Sequence, residues 1–356
     1  MGYIIGLLMP IGINYLIYRK LKEAGVSLFM RNIFILWALF WFVAGYIASY
    51  DIGNVEYDIL PGRWAEILRA LSLTWSIITL LAFFVFFGVD LLTGFKDFTK
   101  GKLYFALALT LAGSLYCLFE AYYVTPRYVE IKTDKLEAEK LRIVFLSDVH
   151  IGGLSTYYHL ERVMKLVDEA KPDILLLGGD ILDGVMSYRY RELELLTKAA
   201  EKAKYGAFAV NGNHEYYWLL DVDVEGIIRE CGYNLLIFDR VEAGGIVIIG
   251  LDDIKNGWIK PYLKPEDEKK FVLVLKHRPG LLLDADGKFD LQLSGHTHGG
   301  QFWPLGYFKN RVADSVQGLS QKAGGYVYVS NGSGFNGPPM RLFVPPEITV
   351  IDIVKE

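Results

Sequence analysis

Hydrophobic and polar positions divide the chain into two regions of different character. The first 125 residues contain few charges and no histidine, and most of their apolar residues collect in four long runs. These runs cover about residues 3–18, 33–50, 68–89 and 103–124. The last three are long enough to cross a hydrocarbon core, which takes roughly 20 apolar residues. Because helices that are apolar on every face have no water-facing side, the pattern predicts a transmembrane helical domain over residues 1–125.

The first run is weaker than the other three. It is about 16 residues long and contains Pro10 and Asn14, so a signal-like segment or a half-buried helix is an alternative. No small-residue cleavage site follows it, and we count it as a span. The expectation is a bundle of about four transmembrane helices, and the opposing interpretation is a soluble all-α domain.

After residue 141 the apolar runs become short and alternate with amphipathic stretches. Eight runs predict strands, at 142–146, 173–177, 207–210, 246–250, 271–275, 291–294, 326–330 and 348–354. Helical periodicity predicts helices at 157–170, 189–204 and 223–231. Strands that alternate with helices and later follow one another directly favour an α/β sandwich over residues 142–356. The polar residues 126–141 have no strong pattern and are predicted to be a linker.

Five of the six histidines lie in short motifs at the ends of these predicted strands. The motifs are LSDVHIG (146–152), GGDILD (178–183), NGNHE (211–215), KHRP (276–279) and GHTHGG (295–300). Their carboxylate, amide and imidazole groups suit Mn, Fe, Zn or Mg, and the lack of cysteine argues against an iron–sulfur cluster or a closed structural zinc site. Asp148 and His150 are two residues apart, so they share a face only if the chain turns, and nearby glycines are expected to supply that turn. Together the motifs predict one metal site built from strand ends.

The five motifs, in this order, resemble those of the calcineurin-like metallophosphoesterases, and GHTHGGQ resembles their membrane-associated branch. The resemblance covers residues 142–354 and implies a four-layer αββα sandwich. It implies two divalent cations, Mn, Fe or Zn, about 3.5–4 Å apart, which generate a hydroxide and neutralise the phosphoryl oxygens. The implied ligands are Asp148, His150 and His298 for the first metal, Asn213, His277 and His296 for the second, and Asp180 as the bridge.

Two further residues resemble the catalytic acid of this family and its partner. His214 is the motif histidine left over from coordination, placed to protonate the leaving alkoxide, and Asp183 would orient it. Protein phosphatases of the superfamily carry an arginine where this chain has Gly184, which argues against protein phosphatase activity. We interpret His159 as an ordinary helix residue, and the pair Asp252–Asp253 as structural or in contact with the ligands at most.

Lysine and arginine positions predict the orientation in the membrane. The loops after the first and third runs are basic, with Arg19, Lys20, Lys22 and Arg31, and then Lys96, Lys100 and Lys102. The loop between the second and third runs is acidic, with Asp51, Glu56, Asp58 and Glu66 against Arg63. By the positive-inside rule the domain at 142–356 then lies outside the cytoplasm, also if the first run is not a span. Basic residues after the fourth run argue the other way, but acidic neighbours offset much of their charge: Arg127, Lys132, Lys135, Lys140 and Arg142.

Aromatic residues after two of the motifs suggest the substrate. Together with adjoining apolar residues they lie at 216–220 and 302–308. They could form an apolar lip at the membrane interface, or they could pack the core. The lip predicts a lipid bilayer as partner and a phosphorylated, lipid-linked substrate. The tail 335–347 contains Arg341, which could contact phosphate or form a structural ion pair.

Three function classes therefore remain open. The first is a hydrolase of lipid-linked phosphates, as monoester, diester or pyrophosphate. The second is an anchored phosphodiesterase of soluble nucleotides or metabolites, and the third is a metal-binding scaffold or sensor. Intact His214 and Asp183 argue against the third class. A net charge of −4 and the lack of a basic run argue against nucleic acid as the main substrate.

Overall fold

The computed structural model describes most of the chain and divides it into two units. The described residues are 2–53, 62–152, 157–183, 189–217, 223–253, 259–280, 289–304, 317–322 and 325–356. The first unit contains Met1–Phe119 and Gly337–Met340. The second contains Glu120–Asn336 and Arg341–Glu356.

Long helices make up the described part of the first unit. They are α1 (Gly2–Glu23), α2 (Leu28–Gly53), α3 (Gly62–Leu92) and most of α4 (Lys100–Tyr122). Each coincides with one of the predicted apolar runs. Within the described residues, three stretches are long and apolar enough to cross a membrane: Leu28–Ile47, Glu66–Leu92 and Lys100–Tyr122. Helix α1 packs against α2 and α3, and whether it also crosses the membrane stays a prediction.

An ion pair links two of these helices at their ends. Lys20 Nζ on α1 lies 2.6 Å from Asp90 Oδ2 on α3, and Asp90 is almost fully buried. A buried carboxylate in an apolar bundle is costly unless it is paired, so the contact stabilises the packing of α1 on α3. It also holds the end of α1 close to the end of α3, and each of these ends precedes one of the two basic loops.

Two six-stranded sheets form the core of the second unit. The first sheet has the order β1-β12-β2-β3-β4-β5. Its strands are β1 (Thr125–Thr133), β2 (Lys140–Leu146), β3 (Ile174–Gly178), β4 (Ala207–Val210), β5 (Asn234–Leu235) and β12 (Glu347–Lys355). Strands β2 to β5 are parallel to one another, and β12 is antiparallel to β2.

The second sheet has the order β10-β11-β9-β8-β7-β6. Its strands are β6 (Asp239–Ala243), β7 (Ile246–Leu251), β8 (Val272–Lys276), β9 (Leu291–Ser294), β10 (Gly318–Lys322) and β11 (Gly325–Val329). Strands β7, β8, β9 and β11 are parallel, and the two edge strands are antiparallel to their neighbours. The α-helices that the structure describes in this unit are α5 (Tyr157–Ala170), α6 (Tyr190–Ala200), the one-turn α7 (His214–Tyr217) and α8 (Val224–Glu230).

The layers follow from the alternation of side chains along the buried strands. On β2, Ile143 and Phe145 belong to the core between the two sheets, whereas Val144 and Leu146 belong to the core shared with the helices. A third apolar cluster, which includes Ile259, covers the outer face of the second sheet. Strands buried on both faces explain why the sequence shows continuous apolar runs. The predicted sandwich is therefore confirmed.

All eight predicted strands and all three predicted helices of this unit are present, with small shifts at their ends. The predicted linker over 126–141 is wrong in its first half, because Thr125–Thr133 is strand β1. It pairs in parallel with β12 from Thr125↔Glu347 to Thr133↔Lys355. An edge strand with charged exposed positions has no continuous apolar run, and here mainly Ile131 is buried in the core between the sheets. The first strand of the second unit thus begins three residues after the end of α4.

This pairing predicts that Ile131 stabilises the second unit. We expect Ile131→Ala to lower the free energy of unfolding by about 2–4 kcal/mol, because it removes a buried side chain and leaves a cavity. The measurement is thermal unfolding of the full chain in mild detergent. Glu130→Ala, at the exposed neighbouring position, is the control and should change little. Equal effects of the two changes would show that the segment does not pack on the sheet.

Candidate metal centre and general acid

The predicted site residues follow the ends of strands in both sheets. Asp148 and His150 follow β2, Asp180 follows β3, and the 211–215 motif follows β4. His277 follows β8, and the 295–300 motif follows β9. The carboxyl ends of parallel strands meet at one edge of a sheet, so both sheets contribute to one place. Every predicted ligand and catalytic residue lies among the described residues, and all are buried except the half-buried His296 and Asp183.

Two groups of ligand atoms converge within this place. In the first, His298 Nε2 lies 3.3 Å from Asp148 Oδ1 and 3.1 Å from His150 Nε2. Donors that share a cation at about 2.1 Å are about 3–3.4 Å apart, so these spacings suit a common ion. This group corresponds to the ligands implied for the first metal.

The second group contains Asp180, His277 and His296. His277 Nε2 lies 3.2 Å from Asp180 Oδ2 and 3.2 Å from His296 Nδ1. The same Asp180 oxygen lies 3.9 Å from His150 Nε2 in the first group. Asp180 therefore stands between the two groups, where a bridging carboxylate belongs.

Asn213 offers an amide oxygen on the turn that precedes His214. Its Oδ1 is buried and has no hydrogen-bond partner among the residues that the structure describes. The next residue, His214, donates its N–H to Asp180 Oδ1 at 2.9 Å, which places this turn against the bridging carboxylate. An orphaned buried amide oxygen is costly, and coordination to a cation would offset that cost. The donor set thus fits the two cations that the resemblance implies.

The turns that aim these side chains are made by the ligands themselves. Positive φ angles occur at Asp148 (52°), His150 (49°), Asp180 (51°), His296 (68°) and His298 (50°). The expectation that neighbouring glycines supply the turn after β2 is therefore wrong. Single left-handed residues reverse the alternation of a strand, but each costs about 1–2 kcal/mol for a residue with a Cβ atom.

Backbone hydrogen bonds hold this strained geometry. The N–H of Asp148 donates to Gly179 O at 3.0 Å, and the N–H of His150 donates to Asp180 O at 3.0 Å. Gly179 itself has φ of +84°, and a Cβ there would lie 2.8 Å from His277 Nδ1. The two loops after β2 and β3 are thereby fixed to each other.

Asp183 lies between the two histidines that face the bridging carboxylate. Its Oδ1 is 3.4 Å from His214 Nδ1, and its Oδ2 is 3.5 Å from His150 Nδ1. Burial alone would raise the pKa of Asp183, but the two imidazoles outweigh it and hold the pKa well below its usual range. Asp183 thus lies within reach of His214, which it is predicted to orient, and it also reaches a ligand of the first group.

The charged states in this cluster are strongly displaced. Burial raises the pKa of the Asp148 carboxyl. Burial disfavours the imidazolium of His277, yet the hydrogen bond and attraction from Asp180 raise its pKa to about 9. Burial lowers the pKa of His298 well below its ordinary value, and the charge of His150 adds to the effect. Perturbed titrating groups that face one another are typical of a functional site.

Glu215 is the site residue to which the sequence analysis gave no role. The carboxylate is buried and accepts four backbone N–H groups. They belong to Asp180 (2.9 Å), Ile181 (2.7 Å), Leu182 (3.0 Å) and Gly212 (2.7 Å). One side chain therefore fastens the loop after β3 to the loop after β4. The only signal in the sequence is its place directly after His214.

Arg341 serves neither of the two roles considered from the sequence. It is fully buried and donates to the backbone carbonyls of Asn331 (2.8 Å), Gly334 (2.6 Å) and Val344 (3.0 Å). Its Nη2 also lies 3.4 Å from His298 Nδ1. Burial lowers its pKa to about 10. The guanidinium thus supports the chain behind His298.

The remaining sequence-level candidates lie outside the two ligand groups. Tyr216 donates its hydroxyl hydrogen to Asp252 Oδ1 at 2.7 Å, and Arg278 Nε lies 3.0 Å from Asp253 Oδ2. His159 bonds through Nε2 to Ser333 O at 2.7 Å, and burial lowers its pKa to about 4. These contacts agree with the structural roles assigned to them. Gly184 and six residues of the predicted lip lie outside the described residues: Trp218, Leu219, Leu220, Leu305, Tyr307 and Phe308.

Known proteins resemble this chain along most of its length. A sequence model described as calcineurin-like phosphoesterase matches residues 141–300. An uncharacterized metallophosphoesterase of Aquifex aeolicus is 36% identical over 253 residues, which cover 67% of this chain and 95% of that protein. One from Helicobacter pylori is 28% identical over 367 residues and covers 97% of this chain and 96% of its own length. A Danio rerio protein described as a transmembrane protein with metallophosphoesterase domain is 31% identical over 251 residues, or 63% of this chain and 56% of that protein.

The four bonds of Glu215 predict a large effect of Glu215→Gln. The amide would turn its NH₂ group toward two backbone N–H groups, so we expect a loss of about 3 kcal/mol in stability and weaker metal binding. Thermal unfolding and the metal content after dialysis measure the two effects. Glu230→Gln, at an exposed position on α8, is the matched control. Unchanged stability and metal content in Glu215→Gln would contradict the role of this carboxylate.

The left-handed backbone at His296 predicts that glycine is more stabilising than alanine at this position. We compare His296→Gly with His296→Ala, because both remove the imidazole and differ only in the Cβ atom. The glycine variant should be more stable by about 1 kcal/mol, although glycine usually destabilises folded segments. The measurement is thermal unfolding of the full chain with chelator present. An alanine variant of equal or greater stability would show that the site is not strained there.

Proposed function

The chain belongs to the calcineurin-like metallophosphoesterases, and on that premise we propose that it hydrolyses a lipid-linked phosphate ester or pyrophosphate at the membrane. Metal-dependent phosphoester hydrolysis follows from the family. The observation that carries the site assignment is the convergence of two ligand groups on Asp180, with His214 beside them. We assign Asp148, His150 and His298 to one cation, Asn213, His277 and His296 to the other, and Asp180 to both.

Bound there, two divalent cations would lower the pKa of water and neutralise phosphoryl charge. The chain's own residues then have to deliver a proton to the leaving oxygen. His214 is suited to this step, because Asp183 faces its Nδ1 and its Nε2 points to within 3.9 Å of Asp180 Oδ2. A carboxylate at Nδ1 holds the ring in the orientation from which Nε2 can give a proton to the leaving oxygen.

The apolar helices support a substrate in the membrane. Three described helices can cross a bilayer by length and composition, and a relative is described as a transmembrane protein. We place the domain boundary at the end of α4, with residues 1–125 as the membrane part and β1 as the first strand of the catalytic domain. From the basic loops after α1 and α3 we propose that the catalytic domain lies outside the cytoplasm.

The proposed acid predicts a leaving-group effect. His214→Ala should lower kcat about 10²–10⁴-fold for an alkyl phosphoester such as a phospholipid. It should lower kcat much less for bis-p-nitrophenyl phosphate, because p-nitrophenolate leaves without protonation. The measurement uses full chain in mild detergent with Mn²⁺, and the variant should retain both metals. Equal losses on all substrates would contradict the acid assignment.

Asp180→Asn is the companion variant and should lose both metal content and turnover. The rates of hydrolysis of four kinds of compound would distinguish a lipid from a soluble substrate. They are p-nitrophenyl phosphate, bis-p-nitrophenyl phosphate, soluble nucleotides and phospholipids. Preference for a soluble nucleotide without bilayer dependence would favour the anchored phosphodiesterase. No hydrolysis with two metals bound would overturn the proposed function in favour of a scaffold.

A further inference from the structure

The second unit exposes four large apolar side chains that lie near one another. They form what we call the interfacial patch: Tyr128 (70% exposed), Trp303 (60%), Leu319 (43%) and Phe343 (61%). Tyr128, Leu319 and Phe343 line one groove of about 580 Å³. The rings of Trp303 and Phe343 meet edge to face, with centroids 6.3 Å apart. Grouped exposed apolar residues of this kind mark an interaction surface.

Backbone contacts hold the two aromatic residues on the surface. The N–H of Trp303 donates to Leu342 O at 2.8 Å, and the N–H of Leu342 donates to Gln301 O at 3.0 Å. Phe343 adopts φ of +57°, a conformation that bulky residues rarely adopt. A bulky side chain kept in water at this backbone cost points to a role outside the core.

The segments that carry Trp303 and Phe343 also approach the predicted metal ligands. Gln301 follows directly after the turn His298–Gly300, which contains a predicted ligand. Arg341, two residues before Phe343, places its guanidinium 3.4 Å from the ring of His298. The patch therefore lies at the surface end of the segments that carry the site.

One residue of the patch closely follows a candidate membrane span along the chain. Helix α4 ends at Tyr122, and Tyr128 follows six residues later on β1. An extended chain rises at most about 3.6 Å per residue, so Tyr128 lies within roughly 22 Å of the end of a predicted span. Trp and Tyr favour the water–lipid boundary because their rings are amphipathic.

We propose that the interfacial patch docks on the bilayer surface and holds the metal centre beside lipid head groups. The proposal rests on the membrane anchoring in the proposed function and adds the surface by which the substrate is reached. The proposed occupant of the patch is a lipid surface. A second copy of the chain is an outcome of the test.

Spin labels on the full chain in lipid nanodiscs test this docking without reference to activity. Cys117 and Cys231 are replaced by Ala, and a nitroxide is attached at Phe343→Cys, at Leu319→Cys or, as the matched control, at Tyr190→Cys. Tyr190 is an aromatic residue on α6 that is 76% exposed and lies outside the patch. Collision of each label with oxygen, which concentrates in lipid, is compared with collision with a water-soluble nickel chelate.

The oxygen-to-nickel ratio should be several-fold higher at positions 343 and 319 than at 190. The ratio at 319 should fall toward that of the control when Trp303→Ser and Phe343→Ser are added. A label at 343 that meets nickel as freely as the one at 190 would overturn the proposal. So would dipolar broadening at 343 between labelled chains, which would assign the patch to a second copy.

Hydrolysis of bis-p-nitrophenyl phosphate by the same samples separates the two proposals. Retained hydrolysis with water-exposed labels would overturn the docking and leave the phosphoesterase standing. Lipid-exposed labels without any hydrolysis would support the docking while removing the proposed function.

Discussion

The geometry of the site depends on one buried carboxylate that carries no chemistry of its own. Glu215 gathers N–H groups from the loops after β3 and β4, which come from neighbouring parallel strands. Those loops carry Asp180, Asp183 and His214. A carboxylate can accept four bonds at once, whereas an amide or hydroxyl cannot, so the residue type follows from the geometry. Because Asp180 stands between both ligand groups, a displacement of its loop would disturb the geometry of both groups.

The strained backbone at the predicted ligands depends on a rigid structure beneath it. Five residues with positive φ can persist only where the surroundings hold each one in place. The two sheets supply that support, because β2 and β3 are buried on both faces and pack into two separate apolar clusters. Hydrogen bonds between the loops complete it, as do the contacts of Arg341 behind His298. The site is thus a set of costly local conformations carried by a well-packed sandwich.

The sequence predicted what buried strands and motif order can reveal. Apolar runs located eight strands, and the motifs named the residues that the fold brings together. Strand β1 was not predicted, because its exposed charged positions are typical of a strand at the edge of a sheet. The role of Glu215 was not predicted, because its partners are backbone N–H groups, which cannot be recognised from a pattern of residue types. The turns at Asp148 and His150 were assigned to glycine, since a propensity argument does not anticipate strain that tertiary contacts hold.

Strand β1 has a consequence for how the enzyme meets its substrate. Only residues 123–124 separate α4 from β1, and β1 pairs along its whole length with β12. If α4 crosses a bilayer, as proposed, a catalytic domain on so short a tether stays close to the membrane surface and cannot diffuse into the surrounding solution. For the proposed lipid-linked substrate, the rate would then depend on the surface density of substrate in the membrane, and the enzyme would find each new molecule by diffusion in two dimensions. Dilution of the aqueous phase would leave turnover of such a substrate unchanged, whereas dilution of the substrate with inert lipid would lower it.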